Sequence, residues 1–270
     1  MVADMVEPRV AADVAAVMRP RISIESVGKS YSGRSVVDVD RLVLGDRPIQ
    51  GLIGPNGAGK TTLMRLIMHS TPLDRGRITL EPPAGGEIVL SDLPPHRMAR
   101  HGLVKSNQVI MDFDRLTILD SLLLAGAASR YEQPHRILSE RAVYRLLEDQ
   151  IRHYVRYFGL AEPTALAMSA GEKKVLDIVR CLLLRPTFLL LDEPAAGLPA
   201  DLVAKVVAVV KELAAAGTSV VIVEHDLNVI WDLCDEVLFM AEGKVLLRGD
   251  PQSIRANRTV VEKYLGEGHV

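Results

Sequence analysis

The chain has 270 residues, 48% of them hydrophobic, which is enough for a substantial core in one large domain or two small ones and excludes a disordered or fibrous protein. With 32 Lys and Arg against 34 Asp and Glu the net charge is -2, and no basic block stands anywhere along it, so nucleic acid is not an expected partner. Cys181 and Cys234 lie in apolar stretches without CxxC spacing, which fits buried reduced thiols and neither a disulfide framework nor a metal site.

Residues 1–21 scatter Asp4, Glu7, Arg9 and Asp13 among alanines and valines, without the basic start and continuous apolar core of a signal peptide, and read as a tail or a short helix. From Ile22 onward, β-branched runs separated by turn residues predict strands at Ile22–Val27, Val36–Val39, Ile49–Ile53, Ile78–Leu80 and Ile88–Leu90. After Leu116 the spacing becomes helical, with Leu119, Leu122 and Leu123, then Val143, Leu146, Leu147, Ile151 and Val155, so the middle third is predicted to be mainly helix. Strands Phe188–Leu191 and Ser219–Val223 then flank a helix whose buried face is Val203, Val206, Val207, Val210 and Leu213, with Gly217 as its stop. Strand, helix, strand implies a parallel sheet. Val237–Met240 and Lys244–Leu247 flank Glu242-Gly243 as a hairpin, and Asp250-Pro251 opens a last helix as cap and first-turn proline. The fold class is α/β. The apolar runs, such as Leu182–Leu184, Val206–Val210 and Val220–Val223, fall far short of the roughly 20 residues of a membrane span, so the protein is expected to be cytoplasmic and any membrane role peripheral.

Gly54-Pro55-Asn56-Gly57-Ala58-Gly59-Lys60-Thr61 has the G-x-x-x-x-G-K-[ST] pattern, set between the strand Ile49–Ile53 and the helical spacing of Leu63, Leu66 and Ile67. Its glycines let successive amides turn inward around a phosphate, and the helix that follows presents its positive end. Lys60 is placed to reach the β and γ phosphates of ATP and Thr61 to ligate Mg2+, with Thr62 in the same nucleotide-binding stretch.

The run Phe188–Leu191 ends in Asp192-Glu193, two acids that a buried strand has no reason to carry unless charge is needed there. Alone the pair reads as a solvated loop start or a helix cap. Beside a phosphate loop it reads as Asp192 for Mg2+ and Glu193 to polarise the attacking water. His225 follows the strand Val220–Val223 and Glu224, where a histidine is placed to bridge the γ phosphate and Glu193, although a lone strand-end histidine is usually structural. Gln108, ahead of Val109-Ile110-Met111, is marked only by its position between the two halves of the motif set.

Up to this point any P-loop ATPase or kinase fits. The discriminating segment is Met168-Ser169-Ala170-Gly171-Glu172, which has the S-x-x-E spacing of a capping box and also resembles the L-S-G-G-Q signature of ABC ATPases. A capped helix start is also an anion site, so the two readings are compatible. The resemblance runs from about Ile22 to Gly266 with its elements in family order. It implies a parallel-sheet ATPase core, an N-terminal antiparallel β part and an inserted helical subdomain from about Met111 to Leu184, within one ATPase domain spanning 22–270. It further implies Tyr31 as the aromatic stacked on adenine, Gln108 as sensor of Mg2+ and the membrane partner, and His225 as the switch histidine. Ser169 and Gly171 would touch the γ phosphate held by a second ATPase chain, with Ala170 and Glu172 in the same nucleotide-binding segment, in a homo- or heterodimer with two-fold symmetry.

Asp192–Leu198, Leu93–Gly102 and the endings Ile254–Asn257 and Tyr264–Glu267 look like the ATPases of branched-chain amino-acid importers. The lipopolysaccharide-export and urea or amide transporter ATPases are similar. Ala170 and Glu172 replace a glycine and a glutamine of the signature, Asn107 stands where these relatives carry phenylalanine, and Pro199-Ala200 where they carry Asn-Pro. The resemblance implies ATP-driven transport of a small polar solute with integral membrane permease subunits, and indirectly a solute-binding protein, at the inner face of the cell membrane. The 109–116 segment is expected to meet a permease helix. A soluble ABC ATPase is the alternative class, although this chain carries neither two ATPase halves nor a long coiled coil, and a P-loop kinase would have no use for Ser169–Glu172.

Overall fold

The computed structural model describes residues 18–106, 117–127, 140–160, 168–260 and 262. Asn107, Gln108 and the 109–116 segment lie outside the described residues, as do 1–17 and the ending Tyr264–Glu267.

The chain opens with a long hairpin, β1 (Arg21–Tyr31) and β2 (Arg34–Leu44), joined by the two-residue turn Ser32-Gly33. Both turn residues have positive φ, the geometry whose twist matches a tight hairpin. The predicted strands at 22–27 and 36–39 are the inner parts of these two. Exposed polar residues such as Ser30, Arg34 and Arg41 belong to the same ladder. β4 (Arg75–Glu81) and β5 (Ile88–Val89) complete an antiparallel sheet in the order β2-β1-β4-β5. The predicted third residue of β5, Leu90, instead starts a 3-10 turn, and a second 3-10 helix, Pro95–His101, stops on Gly102.

The second sheet takes β3 (Ile49–Ile53), β6 (Leu103–Lys105), β7 (Phe188–Asp192), β8 (Ser219–Val223), β9 (Glu236–Ala241) and β10 (Lys244–Gly249) in the order β10-β9-β3-β8-β7-β6. All its pairs are parallel except β9 with β10, the predicted hairpin. β6 is the element that periodicity does not announce, being three residues long.

The helices are α1 (Lys60–Ile67), α2 (Ile118–Ala127), α3 (Glu140–Phe158), α4 (Ala170–Leu183), α5 (Ala200–Ala215), α6 (Leu227–Leu233), α7 (Pro251–Arg255) and α8 (Arg258–Val260). They explain why the central strands are apolar at every position. Phe188, Leu190, Val221, Val223, Leu238 and Met240 face a core shared with α1 and the antiparallel sheet. Their alternating neighbours Leu189, Leu191, Val220, Ile222, Val237 and Phe239 face a second core under α2 to α6. Each such side chain contributes about 1.5–3 kcal/mol by leaving water. On α5 the buried face is Val206, Val209, Val210 and Ala214, rotated slightly from the predicted set, whose Val203, Val207 and Leu213 pack at its margin.

At the N-terminal end of the parallel strands, the buried Gln50 amide donates to Glu236 Oε2 at 2.6 Å and to Asp46 Oδ1 at 2.9 Å. Arg248 closes this network on Glu236 and Asp46 and also donates to Val43 O of β2 at 3.2 Å, which ties the two sheets together. That leaves the opposite, C-terminal ends of the strands open to a ligand. Among the described residues no helix is long and apolar enough to cross a membrane.

Candidate active site

The phosphate loop leaves the C-terminal end of β3 and runs into α1. Two of its glycines are required by space. A Cβ on Gly54 would stand 1.9 Å from the Met240 carbonyl oxygen, and one on Gly59 2.4 Å from that of Val36, and both residues have positive φ. Gly59 precedes α1 without a side-chain cap, so the first amides of the helix keep their N–H groups for an anion. Thr61 and Thr62 are half-buried in the first turn. The loop is braced from behind by the β9-β10 turn, where Gly243 N donates to Ala58 O at 3.0 Å while Gly243 O accepts from Asp38 N at 2.8 Å.

Lys60 folds over this loop. Its ammonium is nearly buried and donates to Gly54 O at 2.6 Å and Pro55 O at 3.1 Å. Burial lowers its pKa from the ordinary lysine value, against the opposing charges of Glu193 and Asp192.

β7 delivers the two acids to the same end of the sheet. The Asp192 side chain is fully buried, and neither carboxylate oxygen has a hydrogen bond. The Lys105 ammonium stands 3.2 Å from Oδ2, close enough for an ion pair but not aligned as a hydrogen bond. An orphaned buried carboxylate is what a hard cation takes as a ligand, so the site fits Mg2+. Among the described residues no group of three or more His, Cys, Asp or Glu is placed to hold a metal ion by itself.

Glu193 has a φ of 52°, a conformation that costs a non-glycine residue on the order of 1–3 kcal/mol. Its amide donates to Val223 O at 2.8 Å, and its Oε1 lies 3.2 Å from His225 Nε2. Two residues outside the predicted set hold this turn. Lys174 of α4 donates to Glu193 O at 2.7 Å and Ala196 O at 2.9 Å. The buried Glu224 accepts from Ala195 N and, at 3.1 Å, from His225 N, and burial raises its carboxyl pKa.

Ser169 and Glu172 form the predicted capping box: Glu172 N donates to Ser169 Oγ at 3.2 Å, and Ser169 N to Glu172 Oε2 at 2.8 Å. The hydrogen bonds with Ser169 hold the Glu172 carboxyl below its usual range. Ala170 starts α4 exposed, and Gly171 lies against Leu198 and the Gly197 carbonyl. Among the described residues no hydrogen bond joins this segment to the phosphate loop of its own chain. An open cavity of about 440 Å³ lies beside it, lined by Ala195 to Leu198, Glu224 and His225, and not over the phosphate loop itself. Tyr31 is 45% exposed at the end of β1, with Lys29 Nζ 5.5 Å from its ring centre. Lys60, Asp192, Glu193 and His225 are thus gathered at one edge, and Gln108 lies outside the described residues.

A sequence model described as ABC transporter matches residues 41–196. A probable ABC transporter ATP-binding protein of Azorhizobium caulinodans is 35% identical over 89% of this chain and 81% of its own. The lipopolysaccharide export system ATP-binding protein LptB of Haemophilus influenzae is 31% identical over 91% and 97% of the two chains. The high-affinity branched-chain amino acid transport ATP-binding protein BraF of Pseudomonas aeruginosa is 30% identical over 92% and 99%. Among solved structures, a nucleotide-free ATP-binding cassette from an ABC transporter superposes with a TM-score of 0.72 at 24% identity, covering 92% of this chain and all of that one. The chain therefore shares the fold of that cassette and belongs to the ABC transporter family as one of its ATP-hydrolysing subunits.

Proposed function

We propose that this subunit powers uptake of amino acids of the branched-chain type, or of a similar small polar solute, as a dimer of ATPase chains seated on membrane permease subunits at the inner face of the cell membrane. A solute-binding protein acts on it only indirectly. The observation that carries the ATPase chemistry is the Glu193–His225 contact beside the orphaned Asp192 carboxylate. The solute class is supported by the resemblance of Leu93–Gly102 and Asp192–Leu198 to importer ATPases and by the similarity to BraF over nearly the whole of both chains. The comparable similarity to LptB supports a second reading, lipopolysaccharide export.

In this reading the amides of the phosphate loop and the Lys60 ammonium bind the β and γ phosphates. Asp192 and Thr61, together with Gln108, would hold Mg2+, which would supply positive charge to the phosphate oxygens. Glu193 polarises the attacking water and accepts its proton, and His225 orients Glu193 from 3.2 Å and faces the γ phosphate. Ser169 to Glu172 act across the dimer on the nucleotide of the other chain, and Tyr31 stacks on the adenine. The test is reconstitution with the permease subunits that co-purify with the chain. Leucine-dependent hydrolysis and uptake into vesicles is the expected result. Hydrolysis stimulated by lipopolysaccharide and indifferent to amino acids overturns the solute and leaves the ATPase reading standing.

A further inference from the structure

Lys105 is the last residue of β6, opposite Leu190 on the neighbouring β7, and its ammonium reaches along the sheet edge to Asp192 Oδ2 at 3.2 Å. The same ammonium donates to Ser106 O at 2.9 Å. Its side chain is 14% exposed and that of Asp192 is 0% exposed, so this is a pair withdrawn from water. A carboxylate so buried is costly to keep ionised without a counter-charge, yet it has to be ionised to hold a divalent cation. Among the described residues Lys105 is the cation in ion-pair contact with it.

We propose that Lys105 is a resident counter-ion, which occupies the Asp192 carboxylate while the divalent metal is absent and gives it up when the metal arrives. The inference rests on the reading of Asp192 as the metal-holding acid. Ammonium and metal then compete for one carboxylate, and the protein is spared an uncompensated buried charge in the nucleotide-free part of its cycle. The exchange is a movement of the lysine side chain and not of the strand. Ser106 N donates to Leu190 O at 2.9 Å and Ser106 Oγ accepts from Asp192 N at 3.0 Å, so the backbone of β6 stays pinned to β7 after the ammonium leaves. What the departure does release is the Ser106 carbonyl, two residues ahead of Gln108.

Competition has a signature that a merely structural ion pair lacks, because removing the lysine penalises one state alone. Lys105→Met is expected to lower the melting temperature of the nucleotide-free chain by roughly 2–4 °C or more and to leave it nearly unchanged with Mg2+ and a non-hydrolysable ATP analogue. By linkage the affinity for Mn2+ in the presence of that analogue, read by electron paramagnetic resonance, rises about five-fold or more. Lys105→Arg keeps the cation and stays near the parent on both readouts. If Lys105→Met does not fold, Lys105→Gln gives the same comparison. An equal loss of melting temperature in both states, or an Mn2+ affinity that is unchanged or lower, overturns the proposal. Asp192→Asn separates it from the reading beneath it: Mn2+ affinity falls about ten-fold or more if Asp192 serves the metal, and Lys105→Met then no longer lowers the melting temperature. Unchanged Mn2+ binding in Asp192→Asn overturns the metal assignment itself.

Discussion

His225 Nε2 lies 3.2 Å from Glu193 Oε1, and the two residues reach that point from neighbouring parallel strands. β7 and β8 stay in register up to Asp192 opposite Val223, and the Glu193 amide adds one more hydrogen bond to Val223 O. At the next step the left-handed backbone of Glu193 turns the chain out of the sheet. The carboxylate is thus fixed by the end of a sheet and not by a free loop, which suits the proposed role of a base that meets one water molecule.

If Glu193 is the proposed base, removing its charge without removing its shape separates binding from chemistry. Glu193→Gln is expected to lower the rate of phosphate release by about 10²–10⁴-fold while ATP binding stays near the parent level. Lys60→Ala should weaken binding itself, because the phosphate charge loses its partner. Phosphate release and nucleotide binding measured on the same preparations check both, and parent-rate turnover by Glu193→Gln removes this residue from the mechanism.

The separation of Ser169–Glu172 from the phosphate loop of its own chain leads to a second expectation. In the Glu193→Gln background, ATP with Mg2+ should convert monomer to dimer in sedimentation, and ADP should not, since the γ phosphate is the shared element. An unchanged mass with ATP means that the chain pairs with a different ATPase subunit or that the signature segment does not act across an interface.

Lys174 stands on α4, outside the phosphate loop, and its ammonium holds the carbonyls of Glu193 and Ala196. Lys174→Met should lower kcat about ten-fold with the KM for ATP little changed, as expected when an interaction that matters only to the chemical step is lost. Lys174→Arg should restore most of the rate. A rise in KM with kcat intact would show that the residue serves binding instead.

Glu224 makes the stability of this turn depend on pH. Burial is the largest influence on its carboxyl and raises it above the ordinary value of 4.5, against the pull of backbone N–H groups. The folded-state value is therefore higher than the unfolded one, and the group's contribution is fully present below pH 4.5 and is lost as pH rises through the raised value. Urea midpoints of the parent and Glu224→Gln, compared from acid to neutral pH, should show the parent's relative stability falling as pH climbs. A difference that does not change with pH would show that the carboxyl is not titrating in this window.

How much of this was open to reading without coordinates depended on whether a partner was near in sequence. The phosphate loop, Asp192-Glu193 and the Ser169–Glu172 box each carry their evidence within a few residues, as turn, strand end and capping spacing. Lys105 and Ser106 do not, because their partners are Asp192 and Leu190 on a strand more than eighty positions away, and β6 is too short to show a period. Glu224 was readable in principle: it ends an apolar run in an acid, as Asp192 does. The Ser32-Gly33 turn was equally visible as a turn signal, and using it would have extended both strands of the first hairpin. The rotation of the α5 face toward Val209 and Ala214 follows from tertiary packing, which one-dimensional spacing leaves undetermined by a fraction of a turn.

The brace of Gly243 between Ala58 and Asp38 bears on affinity. A loop that had to be gathered around its ligand would give up conformational entropy at the moment of binding, at roughly 1–2 kcal/mol for each residue fixed. Here the second hairpin has already fixed the back of the loop during folding, so the attraction between amides, ammonium and phosphate is left to set the dissociation constant. The nucleotide affinity of this subunit is in that sense partly a property of a turn near its C-terminal end, almost two hundred residues along the chain from the loop that does the binding.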